Sequence, residues 1–278
     1  MQNSIKGKVV VITGAGGVLC GSFAKELASA GAKVALLDLN LASAEANAHA
    51  IVKDGGIAKA YASNVLDKEA LTEVKKKINE DLGPCDILIN GAGGNNPKAN
   101  TDKEYFTKGD DKLGIKTFFD LDKSGFDFVF SLNLMGTVIP SQVFIPDMIG
   151  RKGCSVLNIS SMNAFKPLTK IPAYSGAKAA VSNFTQWLAV HFAGVGIRVN
   201  AIAPGFFVTN QNRALLYNPD GTPTPRTGKI LAATPMGRFG DEAELLGALN
   251  FLLDEKKSGF ITGIVLPIDG GFSAYSGV

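Results

Sequence analysis

The sequence predicts an α/β protein whose parallel sheet is covered by helices on both faces. Three features predict it. Short runs rich in Val, Ile, Leu and Ala alternate with stretches of helical spacing from one end of the chain to the other. Those runs are apolar at consecutive positions, which marks strands buried on both sides. Glycine or proline closes most of the helical stretches.

The elements follow in order. Lys8–Thr13 reads as the first strand and Val18–Ala30 as a helix stopped by Gly31. Lys33–Asp38 is the second strand, Ala42–Lys53 a helix ending at Gly55-Gly56, and Ile57–Ala62 the third strand. Asp67 offers an N-cap for a helix Asp67–Leu82 closed by Gly83-Pro84, and Asp86–Asn90 is the fourth strand. Beyond a long irregular segment, Ser131–Ile149 reads as a helix and Ser155–Ser160 as the fifth strand. Pro172 suits the first turn of a helix reaching Phe192. Ile197–Ala203 is the sixth strand, Asp241–Asp254 a helix and Ile261–Ile268 the seventh strand.

No proline- or serine-rich linker divides the chain, so one domain spanning 1–278 is expected. Two segments interrupt the rhythm. Residues 94–125 hold six lysines and six acids, while 206–240 hold Arg213, Arg226, Lys229 and Arg238 against Asp220 alone, a net +3. Both follow carboxyl ends of strands, where open α/β sheets bind ligands. They are expected to form an active-site insertion and a substrate lid.

With 46% hydrophobic and 19% charged residues, the composition is that of an ordinary globular protein. No apolar run nears the roughly 18 residues of a membrane span, and Met1–Lys8 lacks the apolar region of a signal peptide. Neither a membrane partner nor an exported product is expected. Cys20, Cys85 and Cys154 show no paired spacing and read as reduced thiols of a cytoplasmic protein. Only His49 and His191 are present, so no metal site is expected. A net charge of +3 is too weak for a nucleic-acid footprint.

The first strand runs into Thr13-Gly14-Ala15-Gly16-Gly17-Val18-Leu19-Cys20-Gly21 and then into a helix. Glycines let backbone approach a pyrophosphate, and the helix N-terminus attracts its charge. Gly14, Gly17, Val18 and Leu19 are the expected contacts. Asp38 ends the second strand, 24 residues after Gly14, where a carboxylate bonds an adenosine ribose. It would repel a 2′-phosphate, and Leu39 offers no cation to receive one, so NAD(H) is expected over NADP(H). The plainer readings are an ordinary strand–helix turn and an aspartate that caps the next helix.

Tyr174 and Lys178 are four apart, hence on one helix face. A neighbouring ammonium favours phenolate and lowers the phenol pKa, which would make Tyr174 a general acid or base near neutral pH. Ser161 lies at the end of the fifth strand run, thirteen residues before Tyr174, where its hydroxyl could stabilise charge on a substrate carbonyl oxygen. Asn133 is a poor helix former inside a helical stretch and is expected to hold a water in a proton path. Each feature alone is ordinary; their joint spacing is not.

Throughout its length the sequence resembles the short-chain dehydrogenase/reductase family. The resemblance rests on the glycine turn, Asn90-Gly91-Ala92-Gly93, the Asn133–Ser161–Tyr174–Lys178 set, and Pro204-Gly205 followed by Thr209. It implies a single-domain Rossmann fold, a doubly wound sheet of seven parallel strands, and hydride transfer between a nicotinamide and a carbon bearing oxygen. Ser161 would polarise the carbonyl and Tyr174 exchange the proton. Lys178 would hold the ribose and tune Tyr174, and Asn133 would complete a water relay. Asn64 and Val65 would flank the adenine, with Asn90, Gly91 and Ala92 on the adenosine ribose side. Pro204, Gly205, Phe207 and Thr209 would meet the nicotinamide. Two departures stand out: the family's second and third turn glycines fall at Val18 and Cys20, and its usual adenine-contacting Asp is Asn64.

A narrower likeness is to the short-chain branch of D-mannonate oxidoreductases (fructuronate reductases), carried by 16–20, 90–96, 203–207, 234–240 and the tail 274–278. It implies a sugar-acid substrate. Arg213 is then the first candidate for the substrate carboxylate, since Arg can grip one with two parallel bonds. Asn95, Asn96 and Asn163 are candidates for hydroxyls, and Lys166 and Lys170 are further cations. The alternatives are an enzyme of the same family acting on another polyol or keto-sugar acid, like gluconate 5-dehydrogenase, and a non-catalytic dinucleotide sensor. Phe144, Phe184, Trp187 and Phe192 on two helices, and the apolar tail Phe272–Val278, suggest burial against other subunits; the family resemblance implies a homotetramer.

Overall fold

The computed structural model describes residues 4–209 and 212–277. Its seven strands are β1 (Val9–Thr13), β2 (Lys33–Asp38), β3 (Ile57–Ala62), β4 (Ile87–Asn90), β5 (Ser155–Ile159), β6 (Arg198–Pro204) and β7 (Val265–Ile268). They form one sheet in the order β3-β2-β1-β4-β5-β6-β7, with every neighbouring pair parallel. The strand order reverses between β1 and β4, so the crevice for a ligand lies at their carboxyl ends.

Helices α1 (Val18–Ser29), α2 (Leu41–Lys53) and α3 (Lys68–Asp81) connect the first strands. Asn40 caps α2 through Ser43 N–H, and Asp67 caps α3 through Ala70 N–H at 2.9 Å. Phe23 and Leu27 of α1 pack on one face of the sheet with Ile51 of α2. Leu71 and Ile78 of α3 pack on the other. β1 and β6 are buried along their whole length, β1 as consecutive apolar residues require and β6 with Arg198 and Asn200 hydrogen-bonded to Leu252 and Ile261 carbonyls. The edge strands differ. β3 exposes alternate residues, Ile57 among them, and β7 is only half-buried.

The expected helix Ser131–Ile149 begins earlier and is not regular. α4 (Lys123–Phe130), capped by Asp122, runs into a π turn (Ser131–Met135), α5 (Gly136–Phe144) and a 3₁₀ turn (Ile145–Met148). The polar start Lys123-Ser124-Gly125 hid α4, and Pro146 ends regular hydrogen bonding. The whole stretch Lys123–Met148 is long and apolar enough to cross a membrane by length and composition alone, which counting unbroken apolar residues missed; half of it is buried in the fold. The seventh strand is also shorter than expected. Gly263, at φ +82°, turns the chain just before it.

After β5 comes α6 (Pro172–Ala193), and after β6 the short α7 (Arg213–Leu216) and α8 (Pro225–Ala232). α9 (Ala243–Leu253) and α10 (Glu255–Ser258) lead to β7. The insertion is ordered by short 3₁₀ turns; at one, Thr117 and Asp120 form a reciprocal cap.

Candidate active site

A cleft of about 430 Å³ opens where the first four strands end. The glycine turn forms its floor. Gly14 has φ +68°, and a Cβ there would stand 2.9 Å from the Ala92 backbone, so both conformation and space demand glycine. Gly17 is the N-cap of α1, and the first helical residue is Val18. The departures from the family's turn therefore sit inside the helix. Cys20 is buried against Gly91, where an added Cβ would lie 2.2 Å from its sulfur. Burial pushes the Cys20 thiol up to about 12 although Lys178 is near. It is a packing residue with a neutral thiol.

Asp38 faces the same cleft. Its Oδ2 accepts Gly16 N–H at 2.9 Å and its Oδ1 accepts Asn40 N–H at 2.8 Å. Asn40, not Asp38, caps α2. Each carboxylate oxygen keeps a further lone pair. Ser63, Asn64 and Val65 make one wall. The Ser63 hydroxyl is buried without a partner, and the sequence reading missed it. Its only signal was its place one residue past the third strand. Asn64 Oδ1 accepts Leu66 N–H at 3.0 Å and shapes that turn.

Gly91 and Ala92 line the cleft, but Asn90 does not. Its side chain is buried within the sheet and donates to Ser141 and to Asn158 at 3.1 and 2.9 Å. It ties β4 to α5 and β5, because strand periodicity points it inward. Of residues 204–209, Thr209 reaches the cleft. Phe207 instead packs on Gly240 beside a separate cavity, and Gly205 lies against Asp269, where a Cβ would clash at 2.6 Å. Asn210 and Gln211 lie outside the described residues.

Behind Gly93, which lines the cleft and lies beside Lys178 Nζ, the end of β5 meets α6. Ser161 lies close enough to the Tyr174 phenol to favour its ionised form, and its Oγ accepts Asn163 N–H at 3.3 Å. The Lys178 ammonium lies 5.7 Å from the Tyr174 ring and donates to the Ile159 carbonyl at 2.8 Å. Burial brings the Lys178 pKa down to about 8. The expected depression of Tyr174 is not found. Burial raises the phenol, and only Ser161 opposes it. The ammonium spends its charge on a backbone carbonyl and is itself desolvated.

Asn133 sits in the π turn, fully buried. Its amide donates to Gly94 and Val129 carbonyls at 2.7 and 2.8 Å and accepts Gly94 N–H. Its side chain clamps the loop after β4 to the helix. Gly93 passes between Asn133 and Lys178; a Cβ there would stand 2.7 Å from Asn133 Oδ1 and 3.2 Å from Lys178 Nζ.

The substrate candidates divide. Asn163 is buried next to Ser161 with its carbonyl oxygen unpartnered. Arg213, by contrast, is exposed at the start of α7, its guanidinium 5.7 Å from the Tyr217 ring, and does not line the cleft. Asn95 is exposed and bonds Asn100 at 3.1 Å, and Asn96 caps the turn Pro97–Ala99. Lys166 donates to the Tyr275 carbonyl, and 274–277 of the tail stay exposed; Val278 lies outside the described residues.

The model of the short chain dehydrogenase family matches residues 8–219. A crystal structure from Haemophilus influenzae with bound NAD, provisionally named a D-mannonate oxidoreductase, is 62% identical, superposes with a TM-score of 0.95 and covers 99% of this chain and 98% of its own. The uncharacterized oxidoreductase UxuB of Bacillus subtilis is 50% identical over 278 residues, covering 100% of this chain and 99% of its own length. The 5-keto-D-gluconate 5-reductase of Escherichia coli K12 is 30% identical over 268 residues, 96% of each.

Proposed function

The chain belongs to the short-chain dehydrogenase family, and from that premise we propose that it is an NAD-dependent oxidoreductase interconverting D-fructuronate and D-mannonate. The observation that carries the reading is the grouping of Ser161, Tyr174 and Lys178 behind Gly93, which lines a cleft whose wall presents Asp38. The residues present fit an adenine dinucleotide. The Ser63 hydroxyl is an orphan beside the adenine wall, and Gly14 and Gly91 leave no room for a Cβ where backbone must be approached. Asp38 would accept ribose hydroxyls, the turn Gly14–Leu19 the pyrophosphate, and Thr209 the nicotinamide end.

When bound, the nicotinamide supplies or takes the hydride. The chain's own residues handle the oxygen and its proton. Ser161 donates to the carbonyl oxygen and stabilises the charge that builds there. Tyr174, held neutral by burial, gives that oxygen a proton during reduction and takes it back during oxidation. Lys178 would hold the ribose, and its cation would favour the tyrosinate that oxidation requires. Asn133 keeps the β4 loop in place. The unpartnered Asn163 oxygen accepts a substrate hydroxyl.

The sugar-acid assignment draws on the 62% relative's provisional name. The 30% likeness to a keto-gluconate reductase supports a second reading, a different keto-sugar acid. NADH consumption across D-fructuronate, tagaturonate, 5-ketogluconate and fructose decides between them. Turnover of fructuronate at least tenfold better than the rest is expected, and preference for 5-ketogluconate would transfer the assignment. The protein is further expected to work in the cytoplasm as a homotetramer. The stacked Phe184, Trp187 and His191 of α6, with Trp187 57% exposed, favour a subunit contact there. A monomer mass in light scattering would refute it.

A further inference from the structure

Gly16 and Gly21 stand apart from the family's turn positions, of which the second and third are Val18 and Cys20 in this chain. Helix α2 accounts for both glycines. Ser43 and Asn47 lie four apart, on one face of that helix. A Cβ at Gly16 would stand 2.8 Å from Ser43 Cβ, and one at Gly21 would stand 2.7 Å from Asn47 Nδ2. The two glycines thus let α2 lie directly against the turn.

Asn47 uses this approach. Its Nδ2 donates to the Ala15 carbonyl at 2.8 Å. The other end of the same peptide unit, Gly16 N–H, donates to Asp38 Oδ2 at 2.9 Å. A peptide is planar, so holding its carbonyl and its amide fixes its tilt. Just before it, Ala15 N–H donates to the Leu37 carbonyl at 3.1 Å. All three partners come from β2 and α2. Just beyond it, the first bond inside α1 runs from Gly21 N–H to the Gly17 carbonyl at 2.8 Å. The amides of Val18, Leu19 and Cys20 therefore have no partner within the helix, and these three residues line the cleft.

We propose that Asn47, which does not itself line the cleft, is a positioning residue for the cofactor's pyrophosphate: it locks the Ala15–Gly16 peptide so that the turn offers the diphosphate amides and no carbonyl. This inference rests on the reading of the turn as the pyrophosphate site. Once Asn47 lets go, the peptide is free to rotate, and a carbonyl oxygen turned toward a diphosphate repels it. ADP carries a diphosphate and adenosine none, so the two ligands isolate the effect. Binding of NADH is followed by its fluorescence, and ADP and adenosine by displacement of NADH. Asn47→Ala should raise the Kd of NADH and of ADP about fivefold, the scale of one hydrogen bond, and that of adenosine by less than about twofold. The three atoms nearest a Cβ at Gly21 all belong to Asn47. Gly21→Ala should therefore push the amide off Ala15 and reproduce the loss, and the double variant should bind no more weakly than Asn47→Ala alone. A wild-type Kd for ADP in Asn47→Ala overturns the proposal. So do equal losses on ADP and adenosine, the mark of a merely structural role, and additive losses in the double variant. If the wild-type protein binds ADP no more tightly than adenosine, the pyrophosphate reading of the turn fails and takes this inference with it.

Discussion

The cleft floor and the exposed segments are built by different rules. At the floor, side chains hold backbone: Asp38 takes two amides, Asn133 clamps Gly94, and Lys178 donates to Ile159. The parts are buried, glycine-dependent and tied to strand ends. Away from the sheet, charged side chains hold each other across exposed segments, as Lys229 does Glu104 and, beside the separate cavity, Arg238 does Glu244. The contrast teaches that the buried groups are placed by the sheet, while the exposed segments can change without disturbing it.

The largest effect should come from the floor. Tyr174→Phe should cut kcat by about 10³-fold, in the range of a lost general acid–base, while NADH binding followed by fluorescence stays near wild type. Unchanged turnover would remove Tyr174 from the proton path.

Gly91→Ala should come next. Its Cβ would meet Cys20 Sγ at 2.2 Å, and overpacking of this kind costs about 1–3 kcal/mol. A lower Tm and weaker NADH binding are expected. A double variant with Cys20→Gly relieves the sulfur contact but leaves the Thr13 carbonyl 2.9 Å from the same Cβ, so recovery should be partial; none at all would place the strain at Thr13.

Asp38→Ala should shift the NADH/NADPH preference by roughly tenfold toward NADPH, the scale of one lost charged interaction. Equal use of both cofactors by wild type would refute its role. pH then separates the two directions. Because burial raises Tyr174 and brings Lys178 down to about 8, the oxidative kcat/KM should climb with pH through the alkaline range as the phenol is lost. Reduction, which uses the neutral phenol, should fall there. The folded Lys178 binds fewer protons than the unfolded one between about 8 and 10.5, so its contribution makes the fold more stable as pH rises through that window. The smallest effect belongs to the exposed segments: Arg213→Ala should leave KM within about twofold, since its guanidinium stacks on Tyr217.

This contrast also explains what could be read in advance. The succession of strands and helices, the glycine turn, the place of Asp38 at a strand end and the Tyr174–Lys178 spacing follow from periodicity, which backbone geometry enforces; the doubly wound seven-stranded sheet comes from the family resemblance. Asn90 misled, because a strand's alternation turned it into the sheet while its glycine neighbours reached the cleft. Arg213 misled too, since nothing in a loop's sequence says which aromatic ring will claim a guanidinium. Ser63 was passed over because an orphan hydroxyl has no pattern; only the surrounding packing reveals that it lacks a partner. The expected tuning of Tyr174 failed for a further reason: adjacency on a helix face fixes distance but not the acceptor that a flexible ammonium chooses.

The π turn at Ser131–Met135 carries one residue more than a regular turn would accommodate. In a straight helix one residue equals about 100° of rotation. Removing any single residue there would turn Ser141 away from Asn90, or swing Asn133 off Gly94, but could not keep both. Length itself is thus under constraint at this point of the chain: a one-codon deletion here should inactivate where the same deletion in 218–222 would pass unnoticed.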